Sequence, residues 1–398
     1  MRKYAKLLSI ALVAACVSGC AGANTQSTAQ SSVQESSAAS ESSTAETASS
    51  TETASSTETA SSTDTTSESS TETASESSSE STGDTMNSLN LEEINIQDIE
   101  GLRIGNAQDE EAMTGTTVVL FDNGAKVGID VSGGGPAARE THLTDPTTAD
   151  NPINAIMLSG GSAYGLAAAD GIMQYLEEHD IGYDTGYAKV PLVCGSCLYD
   201  LGIGSATVRP DADMGYAACV DAEKNEPKSG KVGAGTGATV GKIKGMEYSS
   251  NSGLGIYAVK LGDLEMAAVV AVNALGDIYD PETGEEIAGL KDENGNLCDT
   301  RTELYKINEQ TDMFTQNTNT TIGVIITNGN FSKSEMSKIA SMARSAYSRC
   351  ICPVGTLADG DTIYAASIGD VSGDVNVAGT LAADVMAKAI VNAIESVN

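Results

Sequence analysis

The sequence predicts an α+β fold in which mixed sheets pack together with helices outside, rather than a doubly wound parallel sheet. Three observations predict it. Strand-like and helix-like segments come in blocks instead of strict alternation. Two apolar, β-branched runs, 254–261 and 264–272, are joined by Gly262-Asp263 alone, as in a hairpin. The core must rest on Val, Ile, Leu, Ala and Met, because the 398 residues include no Trp, three Phe and 41 Gly.

The elements follow in chain order. Runs 116–121 and 126–131 flank Asp122-Asn-Gly124, which predicts a further hairpin. Residues 153–158 read as a short apolar strand ending at Gly160-Gly161. A helix over 163–179 carries Leu166, Ala169, Met173 and Leu176 at helical spacing, and one over 211–222 has acids in its first turn. Residues 316–327 start polar and turn into a β-branched run, a strand from 321 to 327. Ser332-Lys-Ser-Glu335 is a capping box opening a helix to about Arg349. A strand at 362–367 and a closing helix over 381–397, with Leu381, Val385, Met386, Ile390 and Ile394 inward, complete the pattern.

The N-terminal part reads differently. Arg2, Lys3 and Lys6 precede an apolar run from 7 to 17, and Val17-Ser-Gly-Cys20 reads as a lipobox. The expected mature chain begins at Cys20, lipidated there and held on the outer side of a membrane; the other reading is a plain secretory signal. Residues 21–88 are mostly Ser, Thr, Ala and Glu, with the hexad Thr-Glu-Thr-Ala-Ser-Ser at 51–56 and again at 57–62. Such a stretch cannot bury enough apolar surface to offset chain entropy, so it is expected to be a disordered tether. The folded domain is then 89–398, about 300 residues, one large or two small domains. No second hydrophobic segment of membrane-spanning length stands out in it.

Lys and Arg number 22 against 55 Asp and Glu, a formal charge of −33. Much of it belongs to the tether, yet the domain is also acidic. Nucleic acid is excluded as a partner, because no basic patch is present to neutralise phosphates. Acidic surroundings suit cationic ligands such as free amino termini.

Of eight cysteines, Cys16 leaves with the signal and Cys20 carries the lipid. Cys194-Gly-Ser-Cys197 resembles a redox pair without a thioredoxin-like context, and Cys219, Cys298, Cys350 and Cys352 read as buried small apolar residues. With only His142 and His179, a Cys/His zinc site is not expected, and no motif requires a metal or cofactor. The glycine-dense segment 232–242 fails the dinucleotide fingerprint on context and the P-loop on residue identity. Ser132-Gly-Gly-Gly-Pro is a second glycine loop. Ser159-Gly-Gly-Ser lacks the nucleophile elbow, and neither histidine has a triad role. Any base must therefore be an amine, a lysine or a carboxylate. Asn319-Thr320 stands at a loop-to-strand boundary. A Thr freed at its own amine can be nucleophile and base in one residue. The plain alternative is a strand with a polar lead-in, and Thr318 and Thr321 share the segment.

Several collinear segments together resemble one family. They are 115–120, Gly133-Gly-Gly-Pro136 with Arg139-Glu-Thr141, 158–171, 209–218, 232–242, 270–277 and Asp359-Gly-Asp-Thr362. From about Ile94 onward the chain is similar to the L-aminopeptidase/D-esterase family of self-processing peptidases. That family includes β-peptidyl aminopeptidases and the nylon-oligomer hydrolase.

The resemblance implies a four-layer αββα sandwich like that of N-terminal-nucleophile hydrolases, with its own connectivity. It implies self-cleavage between Asn319 and Thr320 into a large α chain and a small β chain, and an assembly of αβ units. By similarity Thr320 is the nucleophile, Asn273 the oxyanion donor and Lys242 a lysine bonded nearby. Asp359 and Asp361 match the orienting acidic pair, and Tyr199 a tyrosine lining the site. The Asn-Thr pair and the Asp-x-Asp pair resemble the nylon-oligomer branch rather than the aminopeptidase branch, which uses Ser with a Ser/Glu pair. The implied substrate is a short peptide or related amide with a free amino terminus. The competing expectations are a solute-binding or inactive lipoprotein of the same fold, and an acyltransferase of the ornithine acetyltransferase type.

Overall fold

The structure, a computed structural model, describes residues 91–307 and 319–397. The expected leader, Cys20 and the tether lie outside the described residues. Among the described residues ten strands join one continuous sheet. They are β1 (Leu91–Glu93), β2 (Leu102–Asp109), β3 (Thr114–Val131), β4 (Ala137–Arg139), β5 (Ile153–Ser159), β6 (Val193–Cys197), β7 (Leu254–Leu261), β8 (Leu264–Asn273), β9 (Thr320–Gly329) and β10 (Thr362–Val371). The spatial order is β1-β7-β8-β9-β10-β3-β5-β6-β4, with β2 also on β3. Neighbours are antiparallel except β9–β10 and β5–β6, which are parallel.

The hairpin expected at Asp122-Asn-Gly124 does not form. β3 runs through it as one strand of 18 residues. Its first half pairs β2 on one side and β5 on the other, so it has no edge left for its own second half. Residues 126–131 pair β10 instead. The turn-prone residues become a bulge, with a register slip between Leu120 and Ala125 and Gly124 at φ +74. This bulge lets β3 belong to both halves of the sheet, which fold over each other.

The helices are α1 (Ala168–Glu178), α2 (Ala212–Ala222), α3 (Thr300–Lys306), α4 (Lys333–Ala343), α5 (Ser345–Cys350) and α6 (Val375–Glu395). One core lies between the sheet halves: Ile104, Val119, Phe121, Ile156 and Leu158 meet Ala267, Val269, Ile322, Val324, Ile326 and Tyr364. A second lies under α4, α5 and α6, and a third under α1 and α2. The layers are therefore helix, sheet, sheet, helix. β9 shows why its sequence is a continuous apolar run: Ile322, Val324 and Ile326 face the central core, while Ile325 faces the helices.

Helix boundaries shift where local chemistry overrides the periodicity. Residues 162–167 are a 3-10 turn before α1. The Ser332 capping box forms as expected, but that helix breaks at Arg344 into α4 and α5. α6 starts earlier than expected because the Asp374 side chain caps it through the Asn376 and Val377 N–H groups. α6 is long and apolar enough to cross a membrane, with a mean hydropathy of 1.5, yet 72% of that stretch is buried. It packs on β7 and β8 as a core helix.

Close helix–sheet contact depends on glycine. A Cβ on Gly255 of β7 would stand 1.8 Å from the Ala389 carbonyl oxygen of α6. Gly255→Ala is expected to cost about 1–3 kcal/mol, read as a lowered urea midpoint.

Candidate active site

β9 opens at Thr320 and runs between β8 and β10. The antiparallel register with β8 sets Asn273 opposite Thr320, and a parallel bridge sets Asn319 beside Asp359. Strand pairing alone thus brings an amide to one side of Thr320 and the acidic pair to the other. Thr320 is 4% exposed. Its Oγ1 donates to the carbonyl oxygen of Asn319, and that oxygen also accepts the Gly360 N–H at 3.1 Å. A Cβ on Gly360 would lie 2.7 Å from Thr320 Oγ1 and 2.8 Å from the Gly135 carbonyl oxygen, so glycine is what lets this backbone approach.

The acids are held by backbone donors. Asp361 Oδ1 accepts the Thr321 N–H at 2.7 Å, and its Oδ2 accepts the Gly355 N–H at 3.0 Å. Asp359 Oδ2 accepts the Thr356 N–H at 2.9 Å and the Thr356 hydroxyl at 2.6 Å. The glycine loop after β3 latches both residues from outside: Ser132 and Gly133 donate to the Asp361 carbonyl, and Gly135 to that of Asp359. Burial pushes both carboxyls up; Asp361 reaches about 7 through burial first and the charge of Asp359 second.

Lys242 ends the segment 232–242, whose last residues run along the chain just beyond β8: its N–H donates to Leu275 O, and that of Gly241 to Gly276 O. Its Nζ donates to the Asn273 carbonyl oxygen at 2.9 Å and to Asn273 Oδ1 at 2.8 Å. Thr239 N–H also donates to that Oδ1. Asn273 Nδ2 donates to the Tyr199 carbonyl oxygen at 2.8 Å. A carboxamide nitrogen carries two hydrogens, so one remains for a further acceptor. Burial pushes the Lys242 ammonium down to about 7, against the pull of Asp359, Asp200 and Asp361.

All six candidate residues gather here, Tyr199 through its backbone carbonyl. Reading the sequence missed three contributors. In the sequence Gly360 is only the spacer of an acid pair, and the glycine loop at 132–136 shows no link to the acids. Asp200 carries no signal beyond its place next to Tyr199. The histidines stay away from the cluster, His179 stacking on Tyr175 beyond α1. Ser159 Oγ is bonded to Thr116 Oγ1. Cys194 and Cys197 are free and face different cores, as odd spacing on a strand dictates. Cys219 and Cys350 are buried as expected, whereas Cys298 and Cys352 are only half-buried.

The depressed Lys242 gives a pH signature in an uncut Thr320→Ala chain. A folded-state value of about 7, below the ordinary 10.5, contributes stability present above 10.5 and lost as pH falls through 7. Burial pushes the Cys194, Cys197, Cys219 and Cys350 thiols up, which costs stability as pH rises. The signature is therefore a difference: the urea midpoint of Thr320→Ala minus that of the same chain with Lys242→Met should climb between pH 7 and 10.5.

Two helix layers around two sheets, with a buried polar cluster at one end of the central strands, define the class by its fold, that of the N-terminal-nucleophile hydrolases. Residues 95–397 match the model of Peptidase family S58, and the chain belongs to that family. It is 36% identical over 291 residues to an uncharacterized aminopeptidase of Mycobacterium tuberculosis, covering 70% of this chain and 82% of that one. It is 32% identical over 311 residues to a 6-aminohexanoate-oligomer endohydrolase of a Kocuria species, covering 74% and 84%. Among solved structures it is similar to the L-aminopeptidase D-Ala-esterase/amidase from Ochrobactrum anthropi, with a TM-score of 0.56 at 15% identity over 76% of this chain and 86% of that one. A Burkholderia β-aminopeptidase gives 0.53 at 18% identity over 75% and 85%. Both likenesses establish the fold.

Proposed function

We propose that this chain is an exported, lipid-anchored aminopeptidase or amidase that cuts itself before Thr320 and then works through the threonine so exposed. The observation that carries the reading is the setting of Asn319-Thr320. A buried hydroxyl lies against its own preceding carbonyl, whose oxygen already accepts a backbone N–H from Gly360. In the self-cleavage, Thr320 Oγ bonds to the Asn319 carbonyl carbon and gives up its proton. The Gly360 N–H steadies the oxygen as it becomes anionic. The C–N bond breaks, the nitrogen takes a proton, and an ester remains. Water hydrolyses the ester to an Asn319 carboxylate and a Thr320 hydroxyl beside a free α-amine.

That amine titrates near neutral pH, unlike a solvated lysine, so it suits removal of the hydroxyl proton in each later turnover. Thr320 Oγ attacks the substrate carbonyl, Asn273 supplies an N–H to the developing oxyanion, and Lys242 holds Asn273 in place. The departing amine takes the proton, and water releases the acyl group. Asp359 and Asp361 carry negative charge toward the new ammonium and toward the amino terminus of a substrate. Short peptides and linear amides with a free amine fit this balance. The names of the relatives, aminopeptidase and 6-aminohexanoate-oligomer endohydrolase, agree with that class.

Purified domain should release p-nitroaniline from aminoacyl p-nitroanilides or new amines from 6-aminohexanoate oligomers. Ornithine release from an N-acetyl donor with neither activity would favour acyl transfer. No turnover from a cleanly cut protein would leave a binding role. The basic start, apolar run and cysteine support the anchor. Cys20→Ala is expected to move the protein from the membrane fraction to the medium, as read by fractionation.

A further inference from the structure

Asp200 lies just beyond β6, is 4% exposed, and stands outside the set of residues used so far. Its Oδ2 accepts the Thr114 hydroxyl at 2.6 Å, and its Oδ1 accepts the Gly161 N–H at 2.7 Å. Thr114 begins β3, and Gly161 makes the left-handed turn after β5 at φ +80. One carboxylate therefore fastens the ends of three strands. The chain closes on it tightly: a Cβ on Gly160 would stand 2.0 Å from Asp200 Oδ2, and one on Gly237 2.9 Å from its Cβ. The two glycine motifs around 160 and 237 thereby acquire a shared purpose.

Asp200 is also one peptide from the active-site amide, because the carbonyl of its neighbour Tyr199 holds Asn273 Nδ2 at 2.8 Å. The groups facing Lys242 are Asp359 and Asp361 from the segment leading into β10, and Asp200 from the end of β6. The groups facing Asp200 are Lys242 and the buried Cys197 thiol. With Lys242 bonded to both oxygens of Asn273, Asp200 reaches that amide by two routes, one mechanical and one electrostatic.

We propose that Asp200 is a positioning residue for this site: tied to Thr114 and Gly161, it fixes the Tyr199 carbonyl that aims Asn273, and it faces Lys242 from the end of β6. The inference rests on the proposed function for its kinetic consequence, but its electrostatic half does not need activity. Burial pushes the Asp200 carboxyl up as well; a neutral residue there would take away one of the three acids that favour the ammonium form of Lys242, so the lysine would lose its proton at lower pH.

Asp200→Asn separates charge from shape. Its oxygen still accepts from Gly161, and its NH2 can donate to the Thr114 oxygen, so both ties persist. In the Thr320→Ala background, the Lys242-dependent climb, taken as the midpoint difference from the matching Lys242→Met chain, is expected to begin about one unit or more below its start with Asp200 in place. In the full chain, Asp200→Asn is expected to lower kcat roughly tenfold with KM nearly unchanged. Asp200→Ala should also lose stability. A climb that starts at the same pH, with kcat as in wild type, would overturn the proposal and leave Asp200 a structural tie. If the wild-type chain is uncut and inactive, the functional reading falls, and the titration in Thr320→Ala still decides whether Asp200 acts on Lys242.

Discussion

Thr320→Ala is expected to leave the chain in one piece and to abolish turnover. The substitution removes the hydroxyl and one methyl group from a residue that is already almost fully buried, so about 1 kcal/mol of packing is lost and the fold should persist. What disappears is the oxygen that lies against the Asn319 carbonyl. Without it no ester forms, the α-amine stays locked in its amide, and both nucleophile and base are missing. The loss should be at least 10³-fold, the scale seen when a group acting as one half of a catalytic unit is deleted. Thr320→Ser keeps the hydroxyl and should still cut, although more slowly, since the methyl that fixes χ1 is gone. Intact mass and steady-state rates read both outcomes. A singly mutated Thr320→Ala chain that cuts normally would assign the chemistry to another residue, with Thr318 and Thr321 next in line.

Asp361→Asn should produce the second-largest effect, a fall of about 10²–10³-fold in both self-cleavage and turnover. Asp361 is fully buried, and each of its oxygens takes a backbone N–H, one from Thr321 and one from Gly355. An asparagine has one acceptor oxygen, so its NH2 must face one of those donors, and the strand beside Thr320 is pushed aside. The variant also deletes a charge that the proposed ammonium of Thr320 would face. Rates of precursor cutting and of turnover, measured separately, should both fall. A variant that cuts and turns over at wild-type rates would remove Asp361 from the mechanism.

Much of the domain was legible where the signal is local. The β7–β8 hairpin, the capping box at Ser332 and the strand beginning at Thr320 depend on neighbours in sequence, and all three are present. β3 was not legible, because Asp122-Asn-Gly124 is a strong turn signal in isolation. Only long-range pairing with β2, β5 and β10 overrides it. The acid pair and Asn273 became candidates through resemblance. The structure adds the reason they meet: β8, β9 and β10 lie side by side in one register. Asp200 could not be found this way, since its partners Thr114, Gly161 and Lys242 come from distant segments with no shared spacing.

The central claim is that one internal amide breaks and frees the amine of Thr320. N-terminal sequencing of the small chain from purified wild-type protein tests it most directly. The account predicts a start of Thr-Thr-Ile-Gly-Val. A chain that remains whole while hydrolysing its substrate, or a small chain that begins at any other residue, would contradict it.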